Sequence, residues 1–224
     1  MITQHPIKFN PDRFGFKFGS IVKGKGGTAL HSGIDYNGGD SPNADFLMEV
    51  NPVFGGTVVF AKNCGEGWGN VVVIYSDLLK RWNRIAHLHK IYVKVGEIVD
   101  LTSVIGLLGK SGTGSPHCHC DVIKQKLTKW TEYTWGWNDK RLNAFYENPL
   151  TFIEMTNKKF EIPDWALESY KRALASGIQI ENPHKEIDQQ EFQRILKESG
   201  IIKEDGPIPV YRLLVIIEKL KGII

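Results

Sequence analysis

The sequence is poor in several things, and each shortage removes a class of protein. No apolar run approaches the roughly 18 residues of a membrane-crossing helix, so no membrane span is expected. Cysteine is scarce: three residues, an odd number, with no C-x-x-C spacing. That argues against a disulfide framework and against a structural zinc site built from paired thiolates. An excess of charge of either sign is also missing. Lys and Arg number 28 against 25 Asp and Glu, a net +3. This is too mild for a nucleic-acid-binding protein and suits an anionic polymer only weakly. The opening stretch MITQHPIKFNPDRF lacks a basic segment followed by an apolar one, so it does not read as a secretory signal. Synthesis in a reducing cytoplasm is expected, or secretion with a signal already removed. No tandem repeat is present.

What remains is an ordinary globular composition, 42% apolar and 24% charged, over 224 residues. That length suits one large domain, or a domain with a small module. Up to about residue 155 the texture is β. Short β-branched runs, GTVVFA (56–61), NVVVIYS (70–76), RIAHLHKI (84–91), SVIGLLG (103–109) and HCHCDVI (117–123), are divided by glycine-rich turns. This predicts a mainly β fold of antiparallel strands. From 156 to 224 helix signals take over. Asp164 caps one predicted helix, Asp188 and Glu191 form a capping box for a second, and Pro209 opens a third. This all-α segment carries 11 basic and 11 acidic residues, so net charge gives it no partner. Two domains are expected, 1–155 and 156–224.

The stretch HCHC at 117–120 sets a stereochemical problem. In a strand, side chains alternate between faces, so His117 and His119 share one face and Cys118 and Cys120 the other. One metal ion cannot be reached from both. The cysteines lack partners, Cys64 being the only other, and read as small buried apolar residues. The histidines have company. His31 and Asp35 stand four apart in HSGID, and His87 and His89 lie in AHLH. A catalytic zinc needs about three N or O ligands and an open position. His31, Asp35 and one further histidine from a pair would supply them.

The ordered elements H-x-x-x-D, A-H-L and H-x-H resemble the lysostaphin/LytM-type zinc metallopeptidases that cut peptidoglycan peptides. HSGIDY, PVFGGTVVFAKNCGEGWGNVVVIYS and AHLHKIYVKVGEIVDLTSVIGLLGKSGTGSPHCHCDV carry the resemblance, over about 14–124, with NPLTFI at 148–153. It implies an antiparallel sheet with a groove, and one Zn²⁺ per chain held by His31, Asp35 and His119. It implies His87 and His117 as an unmetallated catalytic pair, and a peptide of the cell wall as substrate. The alternative is a non-catalytic wall-binding or regulatory module of the same fold. Several roles fit the resemblance, including wall remodelling and phage lysis or entry.

The sequence departs from the family pattern in places. Pro116 replaces a glycine before H-x-H, Cys118 and Cys120 replace larger apolar residues, and Leu101-Thr102 stands where a turn glycine is usual. His89 takes the place of a small residue and is expected at the groove edge or surface. The insertion 126–147 holds Trp130, Tyr133, Trp135 and Trp137, expected either to line a groove wall or to pack locally. In the C-terminal segment the W-A, G-I, NP and E-F spacing weakly resembles a single S-layer-homology repeat. That resemblance implies a wall-polymer partner; packing or self-association is the alternative. His184 there is expected at the surface.

Overall fold

The computed structural model describes residues 3–9, 14–24, 26–38 and 43–159. The helices predicted from 164 onward, the repeat-like spacing and His184 lie outside these residues. Ile2–Lys159 forms one compact unit. Its strands are β1 (Ile21–Gly24), β2 (Gly27–Leu30), β3 (Ile34–Tyr36), β4 (Glu49–Val50), β5 (Gly56–Asn63) and β6 (Asn70–Ser76). They continue with β7 (Arg81–Leu88), β8 (Lys90–Ile91), β9 (Ile98–Val99), β10 (Gly106–Leu107), β11 (Cys118–Ile123) and β12 (Tyr146–Glu147). Two helices complete the order, α1 (Asp139–Phe145) before β12 and α2 (Pro149–Lys159) after it.

The main sheet runs β12-β11-β7-β6-β5-β9, with β3 also on β11. Every pairing is antiparallel. β11 is the pivot: β7 lies along one side, while β3 and β12 share the other. A small sheet, β4-β10-β8, and the β1-β2 hairpin flank it. The fold is therefore mainly β and antiparallel. The hairpin IVKG/GTAL and helix α1 are additions to the strands read from sequence. α1 is opened by Asn138, whose side chain accepts from the Arg141 N–H.

Alternation along the strands makes two unlike faces. On one, Cys118, Cys120 and Val122 of β11 join Val72, Ile74 and Ile85 in the principal core, closed by Val53, Phe54, Leu108 and Ile153. On the other, His119 and Asp121 stand among polar and aromatic side chains. Burial pushes the Cys118 and Cys120 thiols upward, away from the thiolate form a metal would need. The turn at Leu101-Thr102 is built without glycine. Asp100 Oδ1 accepts from the Thr102 and Ser103 backbone N–H groups, an Asx turn in place of a left-handed residue.

The boundary drawn at 155 falls within α2. Asn157, beyond it, is bonded to Thr3: its side-chain amide donates to the Thr3 carbonyl, and its oxygen accepts from the Thr3 N–H. Among the described residues no helix is long and apolar enough to cross a membrane.

Candidate functional site

The site begins with register. His119 of β11 is paired with Asp35 of β3 on one side and Ala86 of β7 on the other. Directly opposed residues on antiparallel strands share a face. Asp35 and His119 are thus brought together by the sheet itself. His31 reaches the same point from the segment just before β3. The bend from His31 into β3 passes through Gly33, where a Cβ would lie 2.1 Å from the Cys120 carbonyl oxygen. Only glycine permits β11 to come that close. The Gly33 carbonyl in turn accepts from His31 Nδ1 at 2.9 Å. This explains why H-x-G-x-D is one unit: the glycine both admits the neighbouring strand and fixes the histidine ring.

The resulting geometry is tight. His119 Nδ1 lies 2.9 Å from Asp35 Oδ1, and His31 Nε2 lies 3.1 Å from each of them. All three residues are buried. His31 Nδ1 donates to Gly33, and His119 Nε2 donates to Asp121 Oδ2 at 3.0 Å. The atoms that converge are therefore two ring nitrogens and a carboxylate oxygen, all lone-pair bearers. They need one shared positive charge. A proton on His119 Nδ1 can supply it; so can a metal cation replacing that proton. Separations near 3 Å also suit ligands of a single ion with bonds of about 2 Å. The residues present fit such an ion.

Electrostatics agree with this picture. Burial works to lower the His119 pKa, yet Asp121 and Asp35 lift it to about 9. Burial works to raise that of Asp35, but hydrogen bonds from His119 and His31 hold it well below the usual carboxylate range. The cluster favours positive charge at its centre.

His87 and His117 stand beside it. Their rings are 4.6 Å apart, and His117 Nε2 is 3.7 Å from Asp35 Oδ1. His87 arrives by an irregularity. Between the pairs Asn70–Leu88 and Val72–Ile85 the β7 strand carries one residue more than β6, and His87 adopts a positive φ of 63°. Such a bulge re-aims a side chain that regular alternation would send into the core. His87 Nδ1 donates to the Ser111 carbonyl at 3.1 Å, and its ring stacks on Trp68. The Ser111 loop is itself wedged against Gly69, where a Cβ would meet the Ser111 carbonyl at 2.1 Å. Burial first, then the neighbouring His117 and His119, push the His87 pKa down to about 3. His117, just before β11, donates through Nδ1 to the Ser115 carbonyl at 3.0 Å. Burial lowers its pKa as well. Both rings thus keep Nε2 for the groove.

The structure brings together all five residues named from sequence. His89 stands apart, exposed and edge-on to Phe46. The groove above the cluster has a volume of about 900 Å³, and Tyr133 and Trp135 line it. The other two aromatics of the insertion pack locally, Trp130 near Trp82 and Trp137 on Phe145. Trp68, Arg84, Ser111 and Asp121 were missed. The sequence signal for two of them was a charge inside an apolar strand pattern: Arg84 in RIAHL and Asp121 in CDVI.

An antiparallel sheet whose groove floor gathers two imidazoles and a carboxylate, with two more imidazoles alongside, has the donor set of a metal-dependent hydrolase. Residues 29–130 match Peptidase family M23. A chain from the crystal structure of the SpoIIIAH and SpoIIQ complex shares the fold with a TM-score of 0.50 at 20% identity, over 67% of this chain and 99% of that one. The catalytic domain of the antimicrobial peptidase lysostaphin from Staphylococcus simulans aligns at 22% identity and TM-score 0.47, over 63% of this chain and 92% of that one. The lysostaphin solution structure aligns at 23% and 0.48, over 64% of this chain and 50% of that one. This chain therefore spans half the length of that second lysostaphin chain. Among curated proteins no match is found.

Proposed function

We propose that the protein is a zinc-dependent endopeptidase that hydrolyses peptide bonds in peptidoglycan stems or cross-bridges. One observation carries the reading: the convergence of His31 Nε2, His119 Nδ1 and Asp35 Oδ1 at about 3 Å, each imidazole having its other nitrogen committed as a donor. These three residues would hold one zinc ion. The match of residues 29–130 to Peptidase family M23 supports the reaction class. The resemblance of 14–124 to lysostaphin/LytM-type enzymes supports the substrate.

A zinc ion held by His31, Asp35 and His119 would supply Lewis-acid polarisation of the scissile carbonyl and would acidify a water. The chain's own residues do the rest. His87, neutral because its pKa is depressed to about 3, presents Nε2 to the groove while Ser111 holds Nδ1. His117 does the same, with Ser115 as its anchor. Either Nε2 can take the proton of the attacking water; the imidazolium so formed stabilises the oxyanion and passes that same proton to the leaving amine, with the second ring beside it. The groove above the cluster receives the peptide.

The test combines metal analysis with digestion. Purified protein dialysed against zinc and then buffer is expected to retain about one ion per chain. Purified peptidoglycans of several chemotypes are digested and the fragments weighed; new amino termini identify the bond cut. A folded, zinc-loaded protein that releases no fragment from any chemotype would overturn the enzymatic reading in favour of a binding module.

A further inference from the structure

A histidine ligand has two ring nitrogens, and which one faces the metal is decided by what the other touches. For His31 that partner is a backbone carbonyl. For His119 it is a charged side chain, and that side chain belongs to a larger assembly. Asp121 lies two residues further along β11, on the same face by strand period. Its Oδ2 accepts from His119 Nε2 at 3.0 Å. Across the β7 register Asp121 is paired with Arg84, and Arg84 Nε donates to the same oxygen at 2.5 Å. Both side chains are fully buried, 0% exposed.

Besides the Tyr146 ring of β12, 5.8 Å from its guanidinium, Arg84 has three further contacts that lie around the site. Nη1 donates to the Trp130 carbonyl at 2.7 Å, and Nη2 to Ser32 Oγ at 3.4 Å. The guanidinium plane sits 3.9 Å over the ring of Trp68, which itself stacks on His87. One buried cation therefore ties together β11, the segment bearing His31, and the aromatic insertion. A salt bridge that served folding alone would have no reason to end on the ring of a candidate metal ligand. Apolar side chains of like volume would do that work as well or better, because burying two charges costs solvation energy.

We propose that Asp121 is a positioning residue that fixes His119 with Nδ1 toward Asp35 and His31, and that Arg84 locks Asp121 in that role. The proposal rests on the reading of His119 as a zinc ligand. It assigns to residues outside the donor set the task of presenting one of its atoms.

The test separates positioning from folding. Arg84→Met combined with Asp121→Leu removes both charges together and leaves no buried ion unpaired. Zinc affinity is measured by competition with a chromophoric chelator, and the His119 ring N–H by ¹⁵N-edited NMR. In the wild type the Nε2–H signal is expected with or without zinc, because Asp121 holds that proton. In the folded double variant the signal is expected to vanish through exchange, and zinc affinity to fall about 10–100-fold. Wild-type zinc affinity together with a retained Nε2–H signal would overturn the proposal. Should the double variant not fold, Asp121→Asn keeps the size and removes the charge. Weakened zinc binding with a shifted His119 signal then supports positioning, and wild-type values for both overturn it. If the wild type itself binds no zinc, the zinc reading fails, while the Nε2–H signal in the metal-free protein still decides whether Asp121 positions the ring.

Discussion

The two faces of strand β11 are separated by one backbone and behave as two different solvents. Toward the principal core, Cys118 and Cys120 contact aliphatic side chains and carry no charge. Toward the groove, His119 and Asp121 contact Asp35, His31 and Arg84, all ionisable. Every residue of β11 is buried, although His119 lies in the floor of the groove while the cysteines lie in the core. The difference lies in what a substitution leaves behind. On the apolar face it leaves a small void. On the polar face it leaves a lone charge or an unmatched donor, and a buried unpaired charge is far costlier than a void. Stability is therefore spread over the first face, while chemistry is concentrated on the second.

The strongest way to break this contrast is to remove a donor. His119→Ala, His31→Ala or Asp35→Ala is each expected to abolish stoichiometric zinc and with it all measurable hydrolysis, while the core face is untouched. Zinc counted by atomic emission on dialysed, folded protein checks this. A full equivalent of zinc in His119→Ala would remove β11 from the metal site altogether. Next in size are His87→Ala and His117→Ala, which leave the donor set whole. Zinc is expected to stay, and turnover to fall by about 10²–10⁴, as for loss of a proton-transfer group. Loss of zinc in either variant would mean that ligand and catalyst are exchanged.

The reach of sequence reasoning follows the same division. The alternation of HCHC was legible because period two is a local property of a strand, and it separates His117 and His119 from the cysteines without any tertiary knowledge. His31 and Asp35 were legible as a spacing. Their meeting with His119 was not, because it depends on the β3–β11 register, which no local pattern encodes. His87 was named by family resemblance alone. Regular alternation would pair it with His89, and only the bulge with its positive φ turns it to the groove. Arg84 and Asp121 escaped for the opposite reason. Each leaves a local signal, a charge inside an apolar strand pattern, but the partnership that gives the charge its meaning is set by the cross-strand pairing that buries both together. The C-terminal helix signals lie outside the described residues, so the wall-polymer reading of that segment stays a proposal for binding assays on sedimented walls.

A sharper version of the comparison uses stability rather than metal. Arg84→Met alone deletes a fully buried cation and strands Asp121 and the Trp130 carbonyl. The expected cost is about 3–5 kcal/mol, the usual consequence of breaking a buried pair from one side. Adding Asp121→Leu is expected to recover much of it, because the second change removes the stranded charge. Denaturant titration of the two variants checks the sign of that coupling; strict additivity would mean that the pair does not interact as its geometry says.

The smallest effect is expected on the other face, and it tests the contrast most directly because it acts on the same strand. Cys118→Ala and Cys120→Ala each remove one sulfur atom from the core. Neither sulfur touches the donor set, and burial keeps both thiols protonated, so no thiolate is lost. Cys120 Sγ does accept weakly from Asn83 Nδ2 at 3.4 Å, but that amide also donates to the Asp121 carbonyl at 3.0 Å and so keeps a partner. What remains is a small cavity at each site, worth roughly 1 kcal/mol apiece when neighbours relax little. The two positions are adjacent on one face, so the double variant is expected to fall a little short of the sum. Zinc content and turnover should match the wild type within error, since His119 is held from its own side by Asp35 and Asp121. A folded double variant that comes out free of zinc would show that the cysteines reach the metal, and that β11 does not keep its two faces apart.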